Sequence, residues 1–382
     1  MAPSTIVALV LTFAVAFGVT IALVPPVQRL CERHGWVQVP GGRRQHRQPT
    51  PNVGGIAIYF GFGLTLIGTL ALDPLLPRSG FEKLRLALLL LGGTLIFVVM
   101  WLDDVRELPP LPKFAAQLAA ALIAVGPYLW DHTRYPDILG QLTEARGIVL
   151  TAFKFPFVDQ ISLWDLSPWL AIVATIFWIV WMTNTINWSD GIDGLAAGIS
   201  LIAALALAFN ALRQELPQVT IALLPLALAG ACAGFLRFNF PPARIFMGDS
   251  GAEFLGYVLG VSAIIGGAKL ATALLVLGVP ILDVAWLIVS RLAAGHSPAQ
   301  GGRDHLHHRL HDLGFSDRQI VVFYYALSAS FGLLGITEVD RSFKLAALGL
   351  LALIGAAVLA YATWRASSQR STHGDQRPTI GE

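Results

Sequence analysis

Residues 168–212 read PWLAIVATIFWIVWMTNTINWSDGIDGLAAGISLIAALALAFNAL. Two apolar runs, 168–187 and 194–212, flank one short string of amides and acids. A bilayer core about 30 Å thick takes about 20 apolar residues as helix, so each run is long enough to cross it. Outward from this pair the same pattern repeats near 4–24, 52–72, 84–102, 114–130, 218–236, 251–267, 270–290, 320–336 and 343–364. The sequence therefore predicts an all-α polytopic integral membrane protein with about 11 transmembrane helices.

Composition agrees. Of 382 residues, 55% are hydrophobic and 13% charged, where a soluble domain carries about 25% charge. That excludes a disordered chain, a disulfide scaffold and an ordinary cytosolic enzyme. The net charge is +2 with no basic stripe, which points away from nucleic acid. Cys31 and Cys232, the only thiols, lie in different segments, so no structural disulfide is expected. The first run has no basic segment before it and no small-residue cleavage site after Val24, and reads as an anchored helix. Residues 1–365 form one multi-pass domain in this reading, and the polar tail 366–382 is expected to be disordered. Arg29, Arg33, Arg43, Arg44 and Arg47 against the single acid Glu32 place segment 25–51 in the cytoplasm by the positive-inside rule. Alternation from there puts 16 of the 26 Lys/Arg inside, the N-terminus outside and the tail inside. The longest outer loop, 131–167, shows no catalytic cluster.

Ionisable groups at membrane depth are costly, and here they gather at the cytoplasmic ends of the expected helices. Asp103-Asp104 closes the third run, with Lys113 beyond a Pro-broken loop. Neighbouring carboxylates on a helix point about 100° apart, so one can face a cavity and the other a neighbour. An ordinary solvated helix end is the plainer reading. Asn184, Asn187, Asp190 and Asp193 recur every third residue, which predicts one helical face suited to a hard cation, a ribose or a base; an Asx-rich turn capping two helices is the alternative. In FNFPPARIFMGDSGAEFLG (238–256), Pro241-Pro242 stops one helix and Gly248-Asp249-Ser250-Gly251 opens the next. Such an opening attracts phosphate, and Asp249 can hold Mg²⁺ to it, unless Asp249 or Ser250 is simply the N-cap. Glu253 lies one turn deeper. In GGRDHLHHRLHDLG (301–314), His305, His307, His308 and His311 stand among Arg303 and Arg309. With no thiol nearby and two guanidinium groups repelling cations, a diphosphate grip is favoured over zinc, and a solvated basic loop is the remaining reading. Asp283, deeper in the ninth run, is expected to face the same cavity or to pair with Arg291.

Groups able to hold Mg²⁺ and groups able to hold phosphates thus meet at one membrane face, which is what phosphoryl transfer between a lipid and a cytosolic donor requires. The ordered set of Asp103-Asp104, NTINWSDGIDG (184–194), FMGDSG (246–251) and HLHHR (305–309) resembles the polyprenyl-phosphate N-acetylhexosamine-1-phosphate transferases of glycosyltransferase family 4. The likeness runs from RRQHRQPTPNVGG (43–55) to HLHHRL (305–310). It implies a reaction in which a UDP-sugar and polyprenyl phosphate give polyprenyl diphosphate-sugar and UMP. With the residue reading, it assigns Asp103, Asp104, Asp190 and His308 to catalysis. Lys113, Asp193, His305, His307, Arg309 and Arg303 are assigned to substrate, and Asn187 and Asp249 to Mg²⁺, for which Mn²⁺ can substitute.

The HLHHR form and the helix count resemble the branch that uses UDP-GlcNAc and undecaprenyl phosphate in the first membrane step of envelope glycan synthesis. UDP-GalNAc and UDP-MurNAc-pentapeptide are the alternative donors. The resemblance also implies a bacterial cell membrane location and a homodimer. A covalent aspartyl intermediate stays open beside direct displacement. A transporter of a phosphorylated or nucleotide-linked solute is the competing class, since transporters also place polar groups on broken helices, though near the midplane.

Overall fold

A computed structural model describes residues 1–39, 49–136, 141–153, 161–214, 216–265, 270–293 and 306–337, with isolated positions from 342 to 357. Helices dominate: α1 (Pro3–His34), α2 (Gly55–Gly68), α3 (Gly80–Arg106), α4 (Pro110–Val125), α5 (Leu163–Leu166), α6 (Pro168–Ser189), α7 (Leu195–Leu212), α8 (Val219–Asn239), α9 (Gly248–Ile265), α10 (Leu270–Val276), α11 (Gly278–Ala293), α12 (Leu306–Asp312) and α13 (Asp317–Ile336). The described strands are two or three residues long and pair only as small antiparallel ladders: β1 (Val37–Gln38) with β2 (Thr50–Pro51), β3 (Tyr135–Pro136) with β4 (Leu142–Glu144), and β5 (Ala152–Phe153) with β6 (Ile161–Ser162).

Local chemistry sets many boundaries. Ser79 caps α3 by accepting from the Glu82 N–H at 3.1 Å, and Glu107 leaves that helix at φ 52° just before Pro109-Pro110. Pro168 opens α6 at a position where no N–H is required. Ser316 and Gln319 form a capping box at the start of α13.

Among the described residues, seven helices are long and apolar enough to cross a membrane, and the α10–α11 pair, bent by 79°, makes an eighth if it is one span. Of the eleven runs read from sequence, α4 is 16 residues long and α9 carries two acids near its start, and neither is among the seven. Most of the final run, 343–364, and the tail 366–382 lie outside the described residues. The first run corrects a boundary: α1 does not stop at Pro25-Pro26 but continues to His34. An interior proline costs a helix about 3 kcal/mol, and here buried Val24, Val27 and Cys31 anchor both sides of the pair in the core.

The helix α9 is the central post, with every residue from Ser250 to Ile264 buried. Small residues let its neighbours close in. A Cβ on Gly256 would lie 2.6 Å from the Met182 carbonyl of α6, and one on Gly55 of α2 would lie 2.4 Å from the Gly251 nitrogen. The start of α9 therefore sits where the ends of α3, α6 and α8 and the beginnings of α2, α4, α7 and α13 come together.

Candidate active site

At that convergence lies a cavity of about 1050 Å³. Asp104, Asn187, Asp190, Asp193 and Asp249 all line it, as do Glu32, Arg244, His311 and Arg318. The residues come from far-apart segments of the chain and meet at one end of the bundle.

The two adjacent aspartates do point apart. Asp103 accepts from the Leu108 N–H at 2.6 Å and from the Lys113 ammonium at 2.6 Å. Asp104 reaches the start of α9, accepting from the Asp249 N–H at 2.7 Å, the Ser250 N–H at 3.1 Å and the Ser250 hydroxyl at 2.5 Å. The cap of α9 therefore comes from a carboxylate 145 residues away in sequence rather than from Asp249 or Ser250 itself. That leaves the Asp249 side chain to the cavity, where Lys113 donates to it at 3.0 Å. Lys113 thus bridges Asp103 and Asp249. Gly248 permits this approach: its φ is +71°, and a Cβ there would meet Asp104 Oδ2 and the Asn52 carbonyl, each at 2.4 Å.

The three-residue spacing of 184–193 predicts one continuous helical face, but α6 stops at Ser189. Asn184 and Asn187 are on the helix, Asp190 is its C-cap, and Asp193 lies in the turn before Gly194, whose φ is +77°. Glycine at 191 and 194 favours that turn over further helix. Asp193 accepts from the Ala243 N–H at 2.8 Å, and Asn239 accepts from the Gly194 N–H at 3.0 Å, so this turn and the Pro241–Ala243 loop hold each other. Burial, then the charges of Asp249, Asp193 and Asp104, push the Asp190 carboxyl well above the ordinary carboxylate range.

Asn184 does not line the cavity. Its amide donates to the Gln117 Oε1 at 2.7 Å and the Val180 carbonyl at 2.8 Å. Gln117 in turn donates to Glu253 at 2.9 Å, and Asn187 donates to the other Glu253 oxygen at 3.0 Å.

In the histidine segment, Arg303 and His305 lie outside the described residues, as do the side chains of His307 and His308 on α12. Arg309 is half-buried, and His311 lines the cavity 3.8 Å from Asp317. Asp283 does not line the cavity; it accepts from the Leu306 N–H at 2.8 Å and so caps α12. Gln117, Asn239, Arg244 and Arg318 were not singled out by sequence. Arg318 donates to the Pro241 carbonyl at 2.9 Å, a contact no spacing announces, whereas Arg244 sits inside the conspicuous FPPARIF string.

The cavity's donors from α3, α6 and α9 are carboxylate and amide oxygens, and both cysteines are buried in the apolar core. Among the described residues no three His, Cys, Asp or Glu side chains form a closed metal cage. Oxygen donors are the kind that Mg²⁺ takes, together with waters and substrate phosphates. Asp249 and Asn187, which both line the cavity, could supply them.

A family model described as Glycosyl transferase family 4 matches residues 86–267. The chain is similar to a probable undecaprenyl-phosphate N-acetylglucosaminyl 1-phosphate transferase of Bacillus subtilis, 32% identical over 343 residues, covering 88% of this chain and 86% of the relative. It is similar to a decaprenyl-phosphate N-acetylglucosaminephosphotransferase of Mycolicibacterium smegmatis, 36% identical over 322 residues, 78% of this chain and 74% of the relative. A phospho-N-acetylmuramoyl-pentapeptide-transferase of Moorella thermoacetica is 32% identical over 332 residues, 83% of this chain and 94% of the relative.

Proposed function

The chain belongs to glycosyl transferase family 4, and from that premise we propose that it moves GlcNAc-1-phosphate from UDP-GlcNAc to undecaprenyl phosphate, releasing UMP, with Mg²⁺. It is a multi-pass membrane phosphotransferase acting on a polyprenyl phosphate. The observation that supports a phosphoryl-transfer site is that Asp104, Asn187, Asp190, Asp193 and Asp249 all line one cavity. UDP-GlcNAc is favoured over UDP-MurNAc-pentapeptide because the relatives named for N-acetylglucosamine include the 36% match. The cavity faces the cytoplasm in this reading, because the α1 end that borders it carries Arg29 and Arg33. A bacterial cell membrane is the setting.

Asp249 and Asn187 hold Mg²⁺. When bound, the ion would supply charge neutralisation for the donor diphosphate and the UMP leaving group. A lipid phosphate is already largely ionised near neutral pH, with a second pKa of about 6. The protein's task is then to position it and screen its charge rather than to supply a strong base. Lys113, tied to both Asp103 and Asp249, is the cation that meets the incoming phosphate. Asp104 acts through α9, fixing the backbone from which Asp249 projects. Asp190 and Asp193 form the wall against the nucleoside, and the imidazoles and guanidinium groups of 303–311 hold the diphosphate and sugar.

The test is purified protein with undecaprenyl phosphate, Mg²⁺ and a panel of UDP-sugars, scored by UMP. Release with UDP-GlcNAc that stops on chelation supports the reading. Release indifferent to chelation, or counterflow of intact nucleotide sugar without UMP, contradicts it.

A further inference from the structure

Glu253 is a carboxylate 2% exposed within the core of the bundle, and the transfer chemistry makes no direct use of it. Its partners form a chain with a fixed direction. The Val180 carbonyl can only accept, so it orients the Asn184 amide nitrogen, which donates there at 2.8 Å and to the Gln117 Oε1 at 2.7 Å. Gln117 must then turn its nitrogen to Glu253, at 2.9 Å. The remaining Glu253 oxygen receives the Asn187 nitrogen at 3.0 Å. Asn187 lines the cavity, and with its nitrogen committed to Glu253 its amide oxygen is the end left for that cavity.

We propose that Glu253 is a positioning residue that sets the amide of Asn187 so that Oδ1, not Nδ2, is presented to the cation in the cavity. The proposal rests on the preceding assignment of Asn187 and Asp249 to Mg²⁺. An amide can swap its ends at almost no cost in volume, and a cation accepts only the oxygen end. A buried acceptor behind Asn187 removes the wrong choice, which is the general role of groups standing behind metal ligands.

The experiment uses the full-length protein in lipid nanodiscs, titrated with Mn²⁺ in the presence of UDP-GlcNAc and without lipid acceptor, with bound Mn²⁺ read by paramagnetic resonance and folding by thermal melting. In Glu253→Gln, Gln117 still needs an acceptor, so the new amide turns its oxygen to Gln117 and its nitrogen to Asn187. Asn187 must then flip, and its nitrogen faces the cavity. Mn²⁺ affinity should fall about 10- to 100-fold with the melting temperature little changed. The double variant Asn187→Asp with Glu253→Gln keeps the total charge, gives the nitrogen of the introduced amide an acceptor and restores an oxygen to the cavity. Its Mn²⁺ affinity should return to within a few-fold of wild type. Unchanged Mn²⁺ binding in Glu253→Gln would overturn the proposal, and so would a loss that the double variant fails to repair, since packing rather than amide direction would then be the cause. Failure of the wild-type protein to bind Mn²⁺ at all would instead sink the metal assignment on which the proposal stands.

Discussion

The two ends of the bundle treat charge in opposite ways. At the end away from the cavity, four acids are matched by neighbouring cations. Asp73 meets Arg78 and Lys83, each at 2.7 Å, Arg134 meets Asp165 at 2.5 Å, Arg85 pairs with Glu144, and Arg146 lies 3.6 Å from Asp131. Hydrogen bonds from Lys83 and then Arg78 hold the Asp73 carboxyl below the ordinary range, and Ser162 with Arg134 does the same for Asp165. At the cavity end, Asp104, Asp190 and Asp249 line one cavity, Lys113 is shared between Asp103 and Asp249, and the Asp190 carboxyl is pushed upward. Matched charges staple loops to the bundle. Crowded like charges cost stability, and under the proposed function a bound cation and phosphates would offset that cost.

Substitutions can break that contrast, beginning at the cavity. Asp249→Ala should lower UMP release by about 100- to 1000-fold, on the scale seen when an electrostatic stabiliser is removed from an active site, while the protein still enters the membrane. Wild-type rates in that variant would remove Asp249 from the chemistry. Asp104→Asn should come next. One amide oxygen cannot serve the three donors that Asp104 now accepts from, and lost charge-assisted bonds cost about 1.5–3 kcal/mol each. Both the rate and the melting temperature should drop. Asp103→Asn keeps an acceptor for the Leu108 N–H only by turning its amide nitrogen to Lys113, so it loses that ion pair, while Lys113 keeps its contact with Asp249. Its effect should be the smaller of the two, and equal, mild effects in a side-by-side assay would contradict the division of labour. Gly248→Ala should depress activity as well, because both its φ and the Asp104 oxygen oppose a Cβ. At the far end, Arg85→Ala should leave kcat and KM unchanged and cost about 1–3 kcal/mol of stability, because the mostly buried guanidinium also donates to the Ala145 and Gly147 carbonyls. A large loss of turnover there would show that the far end is coupled to the chemistry.

Sequence made different parts of this legible for different reasons. Hydrophobic runs of membrane length located nearly every long helix, because lipid demands a property summed over about 20 residues. It could not place the end of α1, where packing of Val24, Val27 and Cys31 outweighs two prolines, or the 79° bend between α10 and α11. The site was visible as costly polar residues at helix ends, and Asp104, Asn187, Asp190, Asp193 and Asp249 do line one cavity. Their connections were not visible. The cap that Asp104 provides to α9, the cap that Asp283 provides to α12 and the Gln117–Glu253–Asn187 chain join segments far apart in sequence, and no local spacing encodes such contacts.

The central claim is that helix ends distant in sequence build one cation-dependent transfer site. A structure of the full-length protein with Mn²⁺ and UDP-GlcNAc, using the anomalous signal of manganese, tests it most directly. A peak is expected between Asp249 and the Asn187 amide oxygen, touching the donor diphosphate. A peak among the histidines of 305–311 alone, or at the opposite end of the bundle, would contradict it.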